Sequence, residues 1–403
     1  MSADDETSSQ IASDVLPEAV EELAVPITLD SLEPWHRPRK QYVRENQWLV
    51  CFRRHLERLI AQGRLTPGVD GGNEYRYLCL PGTDYLDARL IGDACNQSQC
   101  TLNCTGYLAG GQSNPTRARA QIRHESLVKS GYISDHSHTQ WHRIEEVAHS
   151  GSAAHQFLNS RAPFHAVNFD ACGAMALLGA GHSRRLIDAL YRILEVQLAR
   201  SSDPWLLFVT TDVRSENFDP DTLRNLSAAI IENAQASERF SEEAVSTLSG
   251  EPRPIEEALQ AATEDHGEKF VRLFSLGIAK WMLHLAGEKG WEMRTNTSFF
   301  YTTDMVSAAR PTMPSLSFEF RPPPAGLEDR FNVTNANPDP AGAHQEQSVR
   351  AAEKVREMQD LDQKIAEDHD LKQALALRTM RLLQEAGYSS AALHELDPLS
   401  ASS

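Results

Sequence analysis

From residue 75 onward the chain alternates short apolar runs with longer amphipathic stretches. The apolar runs cover 75–82, 100–111, 142–150, 164–173 and 204–214. Each is about the length of a strand and is bounded by Gly, Pro or polar residues. Amphipathic stretches separate them. In 183–200, Leu186, Leu190, Ile193, Leu194 and Leu198 share one helical face. In 114–131, Pro115 stands near the first turn and Gly131 beyond the last, as helix ends favour. Five strand–helix repeats predict a mostly parallel sheet between helical layers. The strands lack clean polar/apolar alternation, as expected when both faces are covered.

After the fifth repeat the periods change. Residues 235–267 are Glu-rich and predict a surface helical insertion. The stretch 269–287 predicts a helix with Phe270, Phe274, Ile278, Trp281 and Leu285 inward. Residues 291–302 and 315–322 then alternate at period two and predict an antiparallel strand pair. The whole reads as an α/β domain of about seven strands over 71–323 with a terminal antiparallel hairpin. A Pro/Ala/Asn linker is expected over 324–344. A helical C-terminal extension is expected over 345–403, with Val355, Met358, Leu361 and Ile365 on one face. That face suits a partner protein or this chain's own core.

Charge changes the picture at the ends. The net charge is −17, but residues 1–33 hold nine acids and no Lys or Arg, and 324–403 carry a net of −6. Residues 34–323 are left near −2, so the acidity does not exclude a nucleic-acid surface there. The segment 1–33 predicts an acidic disordered tail. It has no basic leader, and no apolar run is long enough to span a bilayer, so a cytoplasmic protein without membrane contact is expected. Segment 34–70 is basic and predicts a helix from about residue 41. Its Arg37, Arg39, Lys40, Arg44, Arg53 and Arg54 are the candidate phosphate contacts, against the plainer alternative of solvated arginines on a docked helix.

The strand ends carry the candidate chemistry. Ligands of such sheets bind beyond the carboxyl ends of the strands, and Asp84 falls just after the first run while Asp170 and Asp212 fall at the ends of the fourth and fifth. Cys95, Cys100 and Cys104 match no common zinc or iron–sulfur spacing, so no metal is expected.

The order of elements resembles the class I S-adenosylmethionine-dependent methyltransferase fold, a three-layer Rossmann-like architecture. Two stretches extend the likeness. The sequence "VNFDACGA" resembles the D-L-D-P-F-G-S stretch of the tRNA guanine dimethyltransferases and of the three-Cys-motif partner proteins, and "LLFVTTDVR" resembles their fifth strand. The resemblance implies Asp170 and Asn168 as catalytic residues. It implies Gly173, Thr210, Thr211 and Asp212 at the substrate, and S-adenosylmethionine as cofactor near Gly82, Asp84 and Asp87. The sequence departs from the family where the glycine-rich loop after strand one and the acids after strands two and three are expected. Two functions follow as expectations: methyl transfer to a nucleic-acid base, or a catalytically degenerate subunit of a bacterial phage-defence or mobile-element complex.

Overall fold

The computed structural model describes residues 32–68, 71–109, 114–177, 185–303, 310–323, 340–389, 393 and 396. Most of the expected tail over 1–33 (1–31) and most of the expected linker over 324–344 (324–339) lie outside them.

Among the described residues one mixed sheet has ten strands: β1 (Thr66–Pro67), β2 (Asn73–Cys79), β3 (Cys100–Tyr107), β4 (His138–Gln140), β5 (Ala166–Ala174), β6 (Trp205–Asp212), β7 (Glu292–Thr295), β8 (Phe299–Tyr301), β9 (Met313–Arg321) and β10 (Gln359–Asp360). The order along the main path is β10-β8-β9-β6-β5-β2-β3-β4, with β1 paired to β2 and β7 to β9. Strands β2 to β6 are parallel, and β9 runs against β6, β7 and β8.

The count of ten corrects the expected seven. Two of the extra strands are two-residue pieces, β1 and β10. The third arises because the strand expected over 291–302 is broken between β7 and β8. Gln47 explains the break: its buried amide donates to the Thr297 carbonyl (2.9 Å) and to the Ser315 carbonyl (2.8 Å). A side chain from the N-terminal helix thus takes up backbone acceptors that a continuous ladder would otherwise need to satisfy.

A second correction concerns the third strand. The apolar positions Ile144 and Val147 suggested a strand over 142–150, but Ile144–Ala148 is a 3₁₀ turn. The strand is the polar edge segment His138–Gln140, inside a stretch that reads as a loop.

Both faces of the sheet are covered, and β6 shows it directly. Trp205, Leu207 and Val209 join one apolar cluster, while Leu206 and Phe208 join the other. Helices Leu186–Arg200, Pro220–Ala236 and Glu268–Glu288 cover the first face. Helices Leu49–Ala61, Leu86–Gln97 and Asn114–Lys129 cover the second.

The expected insertion forms helices Glu238–Ser249 and Ile255–Glu264, which bury Phe240 and Ala258 completely. Helix Pro340–Arg356 begins inside the stretch read as a linker. Val355 and Met358 join the first cluster, and Leu361 and Ile365 the second. The face offered as a partner surface is therefore spent on this chain's own core.

Candidate functional site

The chain leaves β2 toward β3 and β4, then crosses to β5 on the other side of β2. The first and fifth expected strands, β2 and β6, thus flank β5. At this switch point a cavity of about 310 Å³ opens beyond the carboxyl ends of the strands. The turn after β2 supplies Leu80, Pro81 and Gly82, and the end of β3 supplies Tyr107, Leu108 and Ala109. Ile144 and Glu145 follow β4, while Asp170, Ala171 and Gly173 end β5. Gly82 has φ +59°, a left-handed turn conformation in which a side chain would be strained.

Asp84, Asp87 and Asp170 all line this cavity and all are nearly buried. Each is matched by a basic side chain, and three of these come from the N-terminal segment. His36 Nε2 lies 3.1 Å from Asp84 Oδ2, the Lys40 ammonium binds Asp170, and Arg44 Nε lies 2.6 Å from Asp87 Oδ1. Arg119 supplies the cation on Asp84, and the Tyr388 hydroxyl donates to the same carboxylate at 2.8 Å. Burial alone would raise the Asp84 pKa. The hydrogen bond from His36 and the charge of Arg119 outweigh it and hold the carboxyl at about 2. Burial pushes Asp170 up, with Lys40 opposing. The Lys40 ammonium also sits 4.6 Å from the centre of the Trp48 ring.

These pairs correct the reading of the basic segment. Lys40 and Arg44 are 4% and 2% exposed, so they are internal counter-charges and present no charge on the outer surface for a nucleic-acid backbone. Arg37 and Arg39 are half-buried, Arg39 against Asp362, and only Arg53 and Arg54 of the six are exposed. On the apolar side of the helix Val43, Trp48, Phe52, Leu56 and Leu59 are buried and Cys51 is half-buried.

Glu145 is the functional candidate that sequence reasoning missed. With the third strand moved back to His138–Gln140, an acid does follow it, on the cavity wall. Glu145 is 8% exposed and bound by Arg143 Nη2 at 2.6 Å. The signal was the polar run before Trp141, which a period-based reading passes over.

Comparison with known proteins adds the family. A protein-family profile described as PP_RS20740-like matches residues 29–397. The chain belongs to the PP_RS20740-like family. The match takes in the N-terminal helix and the C-terminal helices together with the sheet. No curated protein matches the chain. Among solved structures, an rRNA methylase from Streptococcus thermophilus aligns over 68% of this chain and 96% of its own, at 9% identity and a TM-score of 0.29.

In this PP_RS20740-like chain the remaining expected site residues lie beneath the cavity rather than on its wall. Thr211 Oγ1 donates to the Gly173 carbonyl at 2.8 Å, which fixes the cavity-lining end of β5 from below. Thr211 is fully buried and does not line the cavity, so it does not stand where the resemblance implies a substrate contact. Thr210 faces Ser315 at 3.1 Å, and Asp212 accepts from Arg214 Nε at 2.5 Å. Asn168 is fully buried one pleat below Asp170, beside Tyr77. No group of three or more metal-ligating side chains occurs among the described residues, and none of their helices is long and apolar enough to cross a membrane.

Proposed function

We propose that this is a methyltransferase-like protein that binds S-adenosylmethionine in the cavity at the switch point and acts on nucleic acid. The observation that carries the reading is the cavity's place: it joins the loops after β2, β3 and β4 to the end of β5, where open α/β sheets bind nucleoside ligands. The side chains suit such a ligand. Leu80, Leu108, Ile144 and Leu186 give apolar walls for a flat ring, and Glu145 can accept from hydroxyl or amine donors. Gly82 lets the backbone come close. When bound, S-adenosylmethionine would supply an electrophilic methyl group. The chain's part is to bind it, exclude water and orient an acceptor near Asp170.

The Lys40–Asp170 pair favours a second reading. An acceptor amine that approaches Asp170 meets a carboxylate whose Oδ1 already binds the Lys40 ammonium. A subunit that binds but does not transfer would keep this arrangement, as the phage-defence or mobile-element alternative requires.

Calorimetric titration of the full chain with S-adenosylmethionine and S-adenosylhomocysteine tests the binding. Saturable 1:1 binding is expected, weakened about tenfold in Glu145→Gln by loss of a charge-assisted hydrogen bond. The melting temperature should stay unchanged, because the partner Arg143 is 66% exposed. Absence of binding by both ligands refutes the proposal. Transfer of labelled methyl groups to RNA or DNA separates the first reading from the second.

A further inference from the structure

The paired acids leave one part of the cavity unexplained. Arg44 is 2% exposed and lines the cavity, yet its Nη1 has no hydrogen-bond partner. Trp35 lines the same cavity, and its buried Nε1 also lacks a partner. Trp48 and Trp205 have unpartnered indole nitrogens too, but neither lines this cavity. A buried donor left unpaired costs about 1–3 kcal/mol, so two such donors on side chains that line one cavity mark a place for an acceptor.

The local backbone supports the aim of Arg44. It opens a π-helical turn, Arg44–Trp48, between helices Pro38–Val43 and Leu49–Ala61. Such turns shift side-chain direction within an otherwise regular helix and recur at functional sites. Asp87 then holds Nε at 2.6 Å, which anchors the guanidinium from one side and leaves Nη1 free. Trp35 comes close to the turn after β2, since a Cβ on Gly82 would stand 3.9 Å from its Nε1.

We propose that Arg44 Nη1 and Trp35 Nε1 form an oxyanion subsite of this cavity, supplied by the N-terminal segment rather than by the sheet. The inference rests on the reading of the cavity as a ligand site and adds the chemistry of one end of the ligand. Two N–H donors suit two oxygens of a carboxylate or of a phosphate monoester. Four carboxylates line the same cavity, so the site takes a ligand with one compact anionic group and rejects a polyphosphate chain.

The test uses the full chain with labelled indole nitrogens. The six tryptophans give six resonances, and Trp35→Phe assigns one of them. Sodium acetate and inorganic phosphate are titrated at constant ionic strength against chloride. The Trp35 resonance should shift saturably with acetate or with phosphate and not with chloride. Arg44→Lys keeps a cation for Asp87 but removes the donor, and should abolish the shift. In parallel, calorimetry compares adenosine with S-adenosylhomocysteine, which adds a carboxylate, and with adenosine 5′-monophosphate, which adds a phosphate. One anionic ligand should bind at least about tenfold tighter than adenosine, and Trp35→Phe should erase that advantage while sparing adenosine. If acetate and phosphate shift the Trp35 resonance but no nucleoside binds, the subsite stands and the nucleoside reading falls. If adenosine binds as tightly as both anionic ligands and no anion shifts Trp35, the subsite is overturned.

Discussion

Asp170→Asn looks conservative from the sequence and should spare folding, since it keeps size and hydrogen-bonding capacity. The structure reverses that expectation. Asp170 is 10% exposed and Lys40 5%, so removing the carboxylate strands a buried ammonium. Breaking a buried pair by removing one partner costs about 3–5 kcal/mol. The ceiling can be set separately. The stranded Lys40 can shed its proton, which at pH 7 costs about 4.6 kcal/mol for a group of ordinary pKa 10.4. The Trp48 face at 4.6 Å remains and lowers the cost by about 1 kcal/mol. A loss of about 3–4 kcal/mol is therefore expected at pH 7 for Asp170→Asn. Lys40→Met should cost a similar amount, bounded at about 4 kcal/mol by protonation of Asp170. The double variant removes both charges and should lie within about 1 kcal/mol of the parent, since buried pairs are often replaceable as a unit.

Urea denaturation of the four proteins measures the cycle. A coupling of about 3 kcal/mol or more is expected. The sign of the pH response gives a second reading. In Asp170→Asn the folded-state pKa of Lys40 is depressed, so between that pKa and 10.4 the unfolded chain binds more protons. Stability relative to the parent should therefore rise from pH 7 to pH 9. Single-variant costs that simply add in the double variant, to within about 0.5 kcal/mol, would refute the reasoning.

Two buried histidines predict acid sensitivity. Burial lowers His55 to about 4 and His165 to about 3, from 6.5. Below pH 6.5 the unfolded chain takes up protons that the folded chain refuses, so stability falls with pH. From pH 7.5 to 5 each histidine should remove about 2 kcal/mol, and a urea midpoint that is flat over this range contradicts the assignment. Gly92→Ala should destabilise although alanine favours helices by about 1 kcal/mol. A Cβ there would stand 2.1 Å from the Tyr132 carbonyl oxygen, which belongs to the backbone and cannot swing away. A net loss of about 1–3 kcal/mol is expected, and an unchanged or raised melting temperature would count against the close approach.

What the sequence made legible was what periodicity controls. The helix Leu186–Arg200 buries all five of the leucines and isoleucine predicted for its face, and β5 ends at the cavity with Asp170 on the wall. What escaped was set by tertiary contacts. The polar strand His138–Gln140 is stabilised by pairing with β3, in register from Thr105 to Tyr107, and carries no apolar signature of its own. The misplaced strand hid Glu145. The basic segment misled for a related reason. Sequence shows the number of its charges but not their partners, and Asp84, Asp87 and Asp170 lie 43 to 130 positions away from them.

Those partners bear on how the site works. His36, Lys40 and Arg44 recur every four residues, and each meets a different carboxylate at the strand ends. Without the N-terminal segment the cavity would gather four buried acids against Arg119 and Arg143, an arrangement that Coulomb repulsion and desolvation would both oppose. The same segment contributes Trp35 and the Arg44 side chain to the wall. The cavity is therefore completed by docking of residues 34–48 and is not a property of the sheet alone. Two consequences follow from one geometry. A ligand that engages Arg44 and Trp35 would favour the docked state, while an acceptor at Asp170 would share the carboxylate with Lys40. The Lys40–Asp170 pair is therefore where the two readings of the site part: a transferring site needs an acceptor beside that ammonium, and a binding subunit keeps the pair closed.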